Sequence, residues 1–438
     1  MTTQAESKIL TRTGPGTAMG DLMRQYWIPA AASSEIEADG DPLRLMLLGE
    51  KLIAFRDTSG RVGIMDHRCP HRCASLFFGR NEENGIRCVY HGWKYDVDGN
   101  CLDMANVPTH QDFKQKIKAK AYRTKERNGL IWVFMGDQSN IPALPEIEPN
   151  LLPEADVRIM FVQRECNYLQ ALEGDIDTSH FSFPHAGGVN LEDISRDQIA
   201  HFNLVDRQPE YQVAKTDWGT MYGAHRPAGP GQTYWRFAQF FFPFWTMPPD
   251  GDFADHIIAR AWVPMDDTHT MFVHISWLDN KPGLRTDKAG VALPGMTIGM
   301  DKLPNTTDWL GRFRTAGNAR NDYNIDRAAQ RNGMFTGITG IHLQDQAITE
   351  SMGAITDHGH EHLTASDAMI TQTRRRLVVA ARDFAKTGAP PPGVENSEVY
   401  LQARGGDFVA PEAAKWRDAY ERQMQGCKNP TGRLLAAE

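Results

Sequence analysis

The stretch Cys69–Trp93, CPHRCASLFFGRNEENGIRCVYHGW, contains Cys69-x-His71, sixteen intervening residues, and then Cys88-x-x-His91. Two thiols and two imidazoles in tight pairs form a metal-ligand set, one pair on each of two loops. Each pair is mixed. A structural zinc site of the same composition usually places its cysteines together in one half and its histidines in the other.

The mixed pairing matches a Rieske [2Fe–2S] centre, where two thiolates hold one iron and two imidazoles the other, raising the reduction potential above that of an all-cysteine cluster. Such a site accepts electrons. Pro70 fixes a dihedral between the first pair of ligands, Gly92 permits a tight turn beside His91, and Trp93 and Tyr95 offer apolar cover. The flanking segments LRLMLLG (43–49), EKLIAFRD (50–57), RVGIMDH (61–67) and KYDVDGNCLDM (94–104), the last with an Asp98-Gly99 turn, predict a small antiparallel β domain.

At 438 residues the chain far exceeds a lone cluster module of roughly a hundred residues, so most of it does something else. A net charge of −8 argues against a nucleic-acid partner. The first residues, MTTQAESKILTRTG, lack the apolar core of a secretory signal. The most apolar window, FAQFFFPFWTMPP (237–249), is short and broken by prolines. A cytoplasmic protein without a membrane partner is expected, with Cys73, Cys101, Cys166 and Cys427 as free thiols.

A proline-rich run, 141–156, reads as a linker. Beyond it come a helix near Glu165 to His180, strands at 232–242 and 255–265, and helix-like stretches at 301–313, 342–353 and 367–388. This is an α+β pattern. Arg374-Arg375-Arg376 reads as the solvated face of an amphipathic helix.

A second cluster lies in ECNYLQALEGDIDTSHFSFPH (165–185). Spacing i, i+4, i+7 puts Glu173, Asp177 and His180 on one face of the expected helix. Pro184 should end that helix near Phe183 and let His185 turn back toward His180. Two imidazoles and a carboxylate would form the facial triad of a non-haem Fe(II) oxygenase, with positions left open for dioxygen. Spacing leaves the carboxylate open among Asp301, Asp308, Asp345, Asp357 and Asp367. Asp345 is preferred, because Ile341, Ile348 and Met352 are expected to mark the buried side of its helix.

With both clusters read, the chain resembles the oxygenase component of Rieske non-haem iron aromatic-ring-hydroxylating oxygenases, in the phthalate 4,5-dioxygenase-like group. The resemblance runs through Gly16-Thr17, Arg24-x-Tyr26-Trp27-Ile28-Pro29, FFGRNEENGIRCVYHGWKYD (77–96), GITGIHLQDQAITESMGAITD (337–357) and GHEHLTASDAMI (359–370). It implies a Rieske [2Fe–2S] domain over 27–135 with Cys69, His71, Cys88 and His91 as ligands. It implies a helix-grip catalytic domain, an antiparallel sheet wrapped by helices, over 1–26 and 136–438, with His180, His185 and Asp345 on a mononuclear non-haem Fe(II). Asp177 matches the group's bridging aspartate, which links a cluster histidine of one subunit to an iron histidine of the next in a homotrimer or stacked-trimer hexamer. A separate NADH-dependent flavin and iron–sulfur reductase is implied as partner. GPGTAMG (14–20) is no dinucleotide fingerprint, since no strand precedes it.

The implied reaction is cis-dihydroxylation of an aromatic carboxylate such as phthalate with dioxygen. Arg207 and Arg236 are the candidate cations for the acid group. Two other readings stay open: a monooxygenase of the same family cleaving an aryl or alkyl ether, and a Rieske electron carrier without oxygenase activity.

Overall fold

In the computed structural model, which describes residues 2–280 and 283–431, the chain enters through two short helices, α1 (Gln4–Thr11) and α2 (Ala18–Met23). Thr3 and Thr17 cap them, each hydroxyl accepting an otherwise unpaired N–H of the first turn. Ten strands follow. β1 (Trp27–Ala32), β2 (Leu43–Leu47), β3 (Glu50–Arg56) and β4 (Val62–Asp66) precede the ligand loops. β5 (Arg80–Glu82) and β6 (Gly85–Arg87) lie between them. β7 (Trp93–Tyr95), β8 (Cys101–Met104), β9 (Ala121–Arg127) and β10 (Leu130–Phe134) come after. They make a six-stranded antiparallel sheet in the order β1-β10-β9-β4-β3-β2 and a four-stranded sheet β5-β6-β7-β8. The segment between β7 and β8 turns as expected, with Asp96 accepting from the Asp98 and Asn100 N–H groups and Gly99 at φ +84°. Between the sheets lies a separate small core of Ile53, Phe55, Met65, Leu76, Ile86, Trp93 and Tyr95.

Residues 141–156 pack firmly, although their place in the chain is that of a linker. Glu148 forms an ion pair with Arg404, each side chain 1% exposed, and Asn150 accepts from Arg127 Nε at 2.7 Å.

The larger half is built on β11 (Val157–Arg164), β12 (Glu210–Lys215), β13 (Gly219–Pro227), β14 (Gln232–Phe241), β15 (Trp245–Met247), β16 (Ile258–Pro264), β17 (Thr270–Trp277) and β18 (Gly406–Pro411). The sheet is antiparallel in the order β11-β17-β16-β15-β14-β13-β12, and β18 pairs with the first half of β14. Helices α3 (Tyr168–Ile176), α4 (Phe202–Val205), α5 (Arg327–Arg331), α6 (Ile341–Ser351), α7 (Ala368–Thr387) and α8 (Trp416–Gly426) accompany it. Helix α7 ends on Gly388 at φ +67°, a left-handed cap that favours glycine. The Rieske half docks through the turn after β16, where Leu48 N–H donates to the Pro264 carbonyl at 2.9 Å, and through the His67 ring against Trp309 at 5.1 Å.

Four local expectations fail for identifiable reasons. Residues 301–313 are not helical: Pro304 denies a helical N–H, Asn305 takes the Phe313 N–H at 2.8 Å, and Leu303 pairs back to Arg314. Helix α3 stops at Ile176, because the Asp177 carboxylate accepts from Ser179 N–H at 2.8 Å and makes an Asx turn. Glu173, Asp177 and His180 therefore share no helical face. On α6, Ile341 is buried but Ile348 and Met352 are nearly half exposed; the inward face carries His342, Gln344, Gln346 and Thr349.

Arg374, the fourth, is not on a solvated face. It lies inside, with Glu173 at 2.6 Å and Glu361 at 2.9 Å. Removing this guanidinium strands two carboxylates in low dielectric, so Arg374→Ala is expected to cost about 3–5 kcal/mol. Denaturant unfolding measures it; a midpoint equal to wild type contradicts the network's role.

Candidate metal centres

The two ligand loops are built alike. Each closes on its own cysteine four residues back: Cys73 N–H donates to the Cys69 carbonyl and Gly92 N–H to the Cys88 carbonyl, both at 2.9 Å. Gly92 sits at φ +77°, and a Cβ there would meet the Ala105 Cβ at 2.8 Å, so only glycine completes the second loop. The closures hold Cys69 and Cys88 at 1% and 3% exposure, with the His71 and His91 rings 4.4 Å apart beside them. Trp93 stacks on His71 at 4.4 Å, and Tyr95 O–H lies 3.4 Å from Cys69 Sγ. Burial and the neighbouring Cys69 thiol push the Cys88 thiol up, so two ionised thiolates here require positive charge beside them. His71 Nδ1 is buried without a hydrogen-bond partner, as a ligand nitrogen would be. The donor set fits the cluster.

The second centre joins segments far apart in sequence. His180 stands on the one-turn 3₁₀ helix after the Asx turn, His185 follows Pro184, and Asp345 comes from α6. Their ligand atoms lie within 4.8 Å of one another. His185 Nε2 is 3.1 Å from His180 Nε2 and 3.0 Å from Asp345 Oδ1. Gln344 Nε2 donates to the Ile338 carbonyl at 2.7 Å, which orients the amide so that its oxygen accepts from His185 Nδ1 at 2.6 Å. That hydrogen bond fixes the ring so that His185 Nε2 faces Asp345. On the other imidazole, Asp177 Oδ2 lies 3.7 Å from His180 Nδ1. Burial opposes charge on His180, yet hydrogen bonding to Asp345 and the field of Asp177 raise its pKa to about 9. Burial likewise opposes charge on Asp345, but His185 and His180 hold it well below the usual carboxylate range. The site favours a cation, and two imidazoles with one carboxylate suit Fe(II).

Of the two candidate cations, the structure brings one to this centre. Arg236, on β14 and 5% exposed, lies over the Phe181 ring at 4.7 Å and lines a narrow cavity of about 50 Å³ with His180, His185, Asp345 and Asp177. Arg207 does not line it. It sits in the link between α4 and β12 rather than in a strand, 5.8 Å from the Phe183 ring. Sequence reasoning missed Gln344, His342 and Arg260. Arg260, ion-paired with Asp175 and Asp250, and His342 both line this cavity and an adjoining one of about 470 Å³. A charge inside the apolar run HIIARAW was the available signal for Arg260.

Among the described residues no hydrogen bond, ion pair or ring contact joins the four cluster ligands to the His180–His185–Asp345 triad.

Two family models divide the chain: residues 26–117 match the Rieske [2Fe-2S] domain and residues 133–431 the LigXa C-terminal domain like family. The chain belongs to the Rieske non-haem iron aromatic-ring-hydroxylating oxygenases. This oxygenase is 48% identical over 426 residues to the 3-chlorobenzoate-3,4-dioxygenase oxygenase subunit of Comamonas testosteroni, covering 96% of this chain and 98% of that protein. It is 36% identical over 436 residues to the phthalate 4,5-dioxygenase oxygenase subunit of Pseudomonas putida, covering 97% and 96%. Among solved structures it resembles NdmA of Pseudomonas putida CBB5, with a TM-score of 0.55 at 18% identity over 91% of this chain and 99% of that one. Dicamba monooxygenase shares the fold at a TM-score of 0.54 and 16% identity, over 83% and 98%. The oxygenase is therefore a Rieske β domain joined to a catalytic domain with a large antiparallel sheet and helices, and it carries a Rieske [2Fe–2S] cluster. A mononuclear iron is implied by the family, and an oxygenase subunit implies a separate reductase. Membership as a dioxygenase oxygenase subunit sets aside the electron-carrier reading. Among the described residues no helix is long and apolar enough to cross a membrane.

Proposed function

We propose that this oxygenase adds both atoms of dioxygen to the ring of an aromatic carboxylate of the 3-chlorobenzoate or phthalate class, giving a cis-dihydrodiol. The observation that supports it is a buried guanidinium, Arg236, lining the same narrow cavity as His180, His185 and Asp345. When bound, the cluster supplies electrons and the mononuclear iron a site for dioxygen activation. The protein's part is placement. Arg236 takes the acid group, the cavity walls keep water from the ring, and Gln344 and Asp177 hold the two imidazoles in orientation. Cys69, His71, Cys88 and His91 hold the cluster in this reading, and Asp177 bridges His180 to the cluster of a neighbouring copy in a homotrimer or stacked-trimer hexamer. The enzyme works in the cytoplasm with an NADH-dependent flavin and iron–sulfur reductase.

Substrate-dependent oxygen uptake, measured with such a reductase across phthalate, isophthalate, terephthalate and chlorobenzoates, tests the reading. A cis-diol formed in equal amount to the oxygen consumed is the expected product. Formaldehyde or phenol release from ether substrates, with no diol from any acid, would assign the enzyme to the ether-cleaving monooxygenases instead.

A further inference from the structure

We propose that Arg226, with Tyr211 and Tyr222, joins Arg236 in an anion seat on the sheet face beneath the His180–His185–Asp345 triad, and that this seat receives the carboxylate of the aromatic acid. The inference rests on the reading above and extends it to residues that no sequence motif marks.

The seat follows from strand register. Tyr211 of β12, Ala224 of β13, Arg236 of β14 and Asp407 of β18 are paired in one row across four strands. Directly paired residues point to the same face, as do residues two apart on a strand. Tyr222 and Arg226 on β13 and Tyr234 on β14 therefore surround Ala224 on that face. Ala224 projects only a methyl group, so side-chain bulk is least at the middle of this group of two guanidiniums and three phenols. Arg226 and Arg236 are diagonal neighbours, about 7–8 Å apart at their Cα atoms.

The group holds hydrogen-bonding capacity that the protein does not use. Arg226 is 1% exposed; its Nε donates to the Asp206 carbonyl, and both terminal nitrogens are buried without a partner. Arg236 donates Nη2 to the Pro249 carbonyl at 2.6 Å and leaves Nε unpartnered. The hydroxyls of Tyr211, Tyr222 and Thr178 are also buried, Tyr222 facing Thr178 and Tyr211 facing Ser179. Thr178 and Phe181, which line the triad's cavity with Arg236, connect the group to that cavity.

Charge points the same way. Two buried guanidiniums stand side by side, and among the described residues neither is hydrogen-bonded to a carboxylate, although the Asp206 charge acts on Arg226. Burial and the charge of Arg236 lower the Arg226 pKa to about 10. Asp407, paired with Arg236 in the row, takes the Tyr234 hydroxyl at 2.5 Å, and burial lifts its pKa to about 7, so it is only a partial counter-ion at neutral pH. Asp177 is engaged by Ser179 and lies 3.7 Å from His180, and its charge also reaches Tyr211 and Tyr222. Buried cations left without a partner are strongly destabilising. A planar carboxylate supplies the missing acceptor in the geometry that a guanidinium fork matches. The substrate's ring would then project past Phe181 toward the triad.

The test measures binding of 3-chlorobenzoate, phthalate and the neutral 3-chlorobenzamide to the holoenzyme by calorimetry, with cluster and iron content assayed in every variant. R226Q is expected to weaken both acids about 10- to 100-fold and leave the amide within about twofold. R226K, which keeps the charge but loses the fork, should fall between. Y211F, which deletes one hydroxyl at constant shape, should weaken the acids about 3- to 10-fold and stays informative if R226Q does not fold. Acid binding unchanged in R226Q and Y211F, or lost in step with the amide, overturns the seat while the aromatic-acid reading stands on wild-type turnover. A wild-type enzyme that consumes oxygen with neutral aromatics but with no acid overturns both.

Discussion

Asp345→Ala is expected to abolish substrate-dependent oxygen uptake, lowering it about 10³-fold or more, while the visible spectrum of the Rieske cluster stays at wild-type intensity. Among the described residues Asp345 is the one carboxylate within reach of both His180 and His185, and two neutral imidazoles alone hold Fe(II) weakly. Alanine is the best helix former, so α6 should persist through the change. The loops of Cys69 and Cys88 lie in a separate core. Iron analysis should accordingly show one atom fewer per chain with no loss of acid-labile sulfide. Bleaching of the cluster, or full retention of iron with normal uptake, would refute Asp345 as a ligand.

Asp177→Asn is the second large effect. Both metal centres should remain, since asparagine keeps the shape and the oxygen that accepts from Ser179 N–H. Steady-state turnover should nonetheless drop about 10- to 100-fold, because a neutral amide does not supply the carboxylate that orients His180 and carries the proposed contact to a neighbouring cluster. Rapid mixing of the reduced, substrate-bound variant with oxygen isolates the step: slow cluster reoxidation is expected. Reoxidation as fast as wild type would remove Asp177 from the electron path.

Legibility followed the range of the interactions. The two loops could be read because Cys69, His71, Cys88 and His91 lie close together in sequence, and the closing turns need particular residues such as Gly92. Helix α7 could be read as a helix-like stretch over 367–388 that ends before Pro390. His180, His185 and Asp345 could be named, but their convergence depends on an Asx turn and a distant helix that no local pattern specifies. Residues 301–313 looked helical by composition, yet the Asn305 side chain competed successfully for backbone. Arg374 shows the main blind spot. In sequence it belongs to a basic run, and only the tertiary fold supplies Glu173 and Glu361 as its partners. Arg236 and Arg207 differ for the same reason: strand register and burial, invisible in one sequence, decide which arginine lines the cavity of His180, His185 and Asp345.

The first helices have a consequence for how the molecule is made. α1 and α2 pack on α7 rather than on the strands that follow them, Arg374 reaches back to the Thr2 hydroxyl at 3.3 Å, and Ser7 meets His358 at 2.8 Å. A ribosome delivers α1 and α2 well before α7, tens of seconds earlier at ordinary elongation rates. The Rieske sheets, whose pairings are mostly between strands near in sequence, can close during that interval. Arg24 can meet Leu48 and Glu50 early, but the face of α1 and α2 that packs on α7 stays uncovered until that helix emerges, which ties the opening segment to the last steps of catalytic-half assembly.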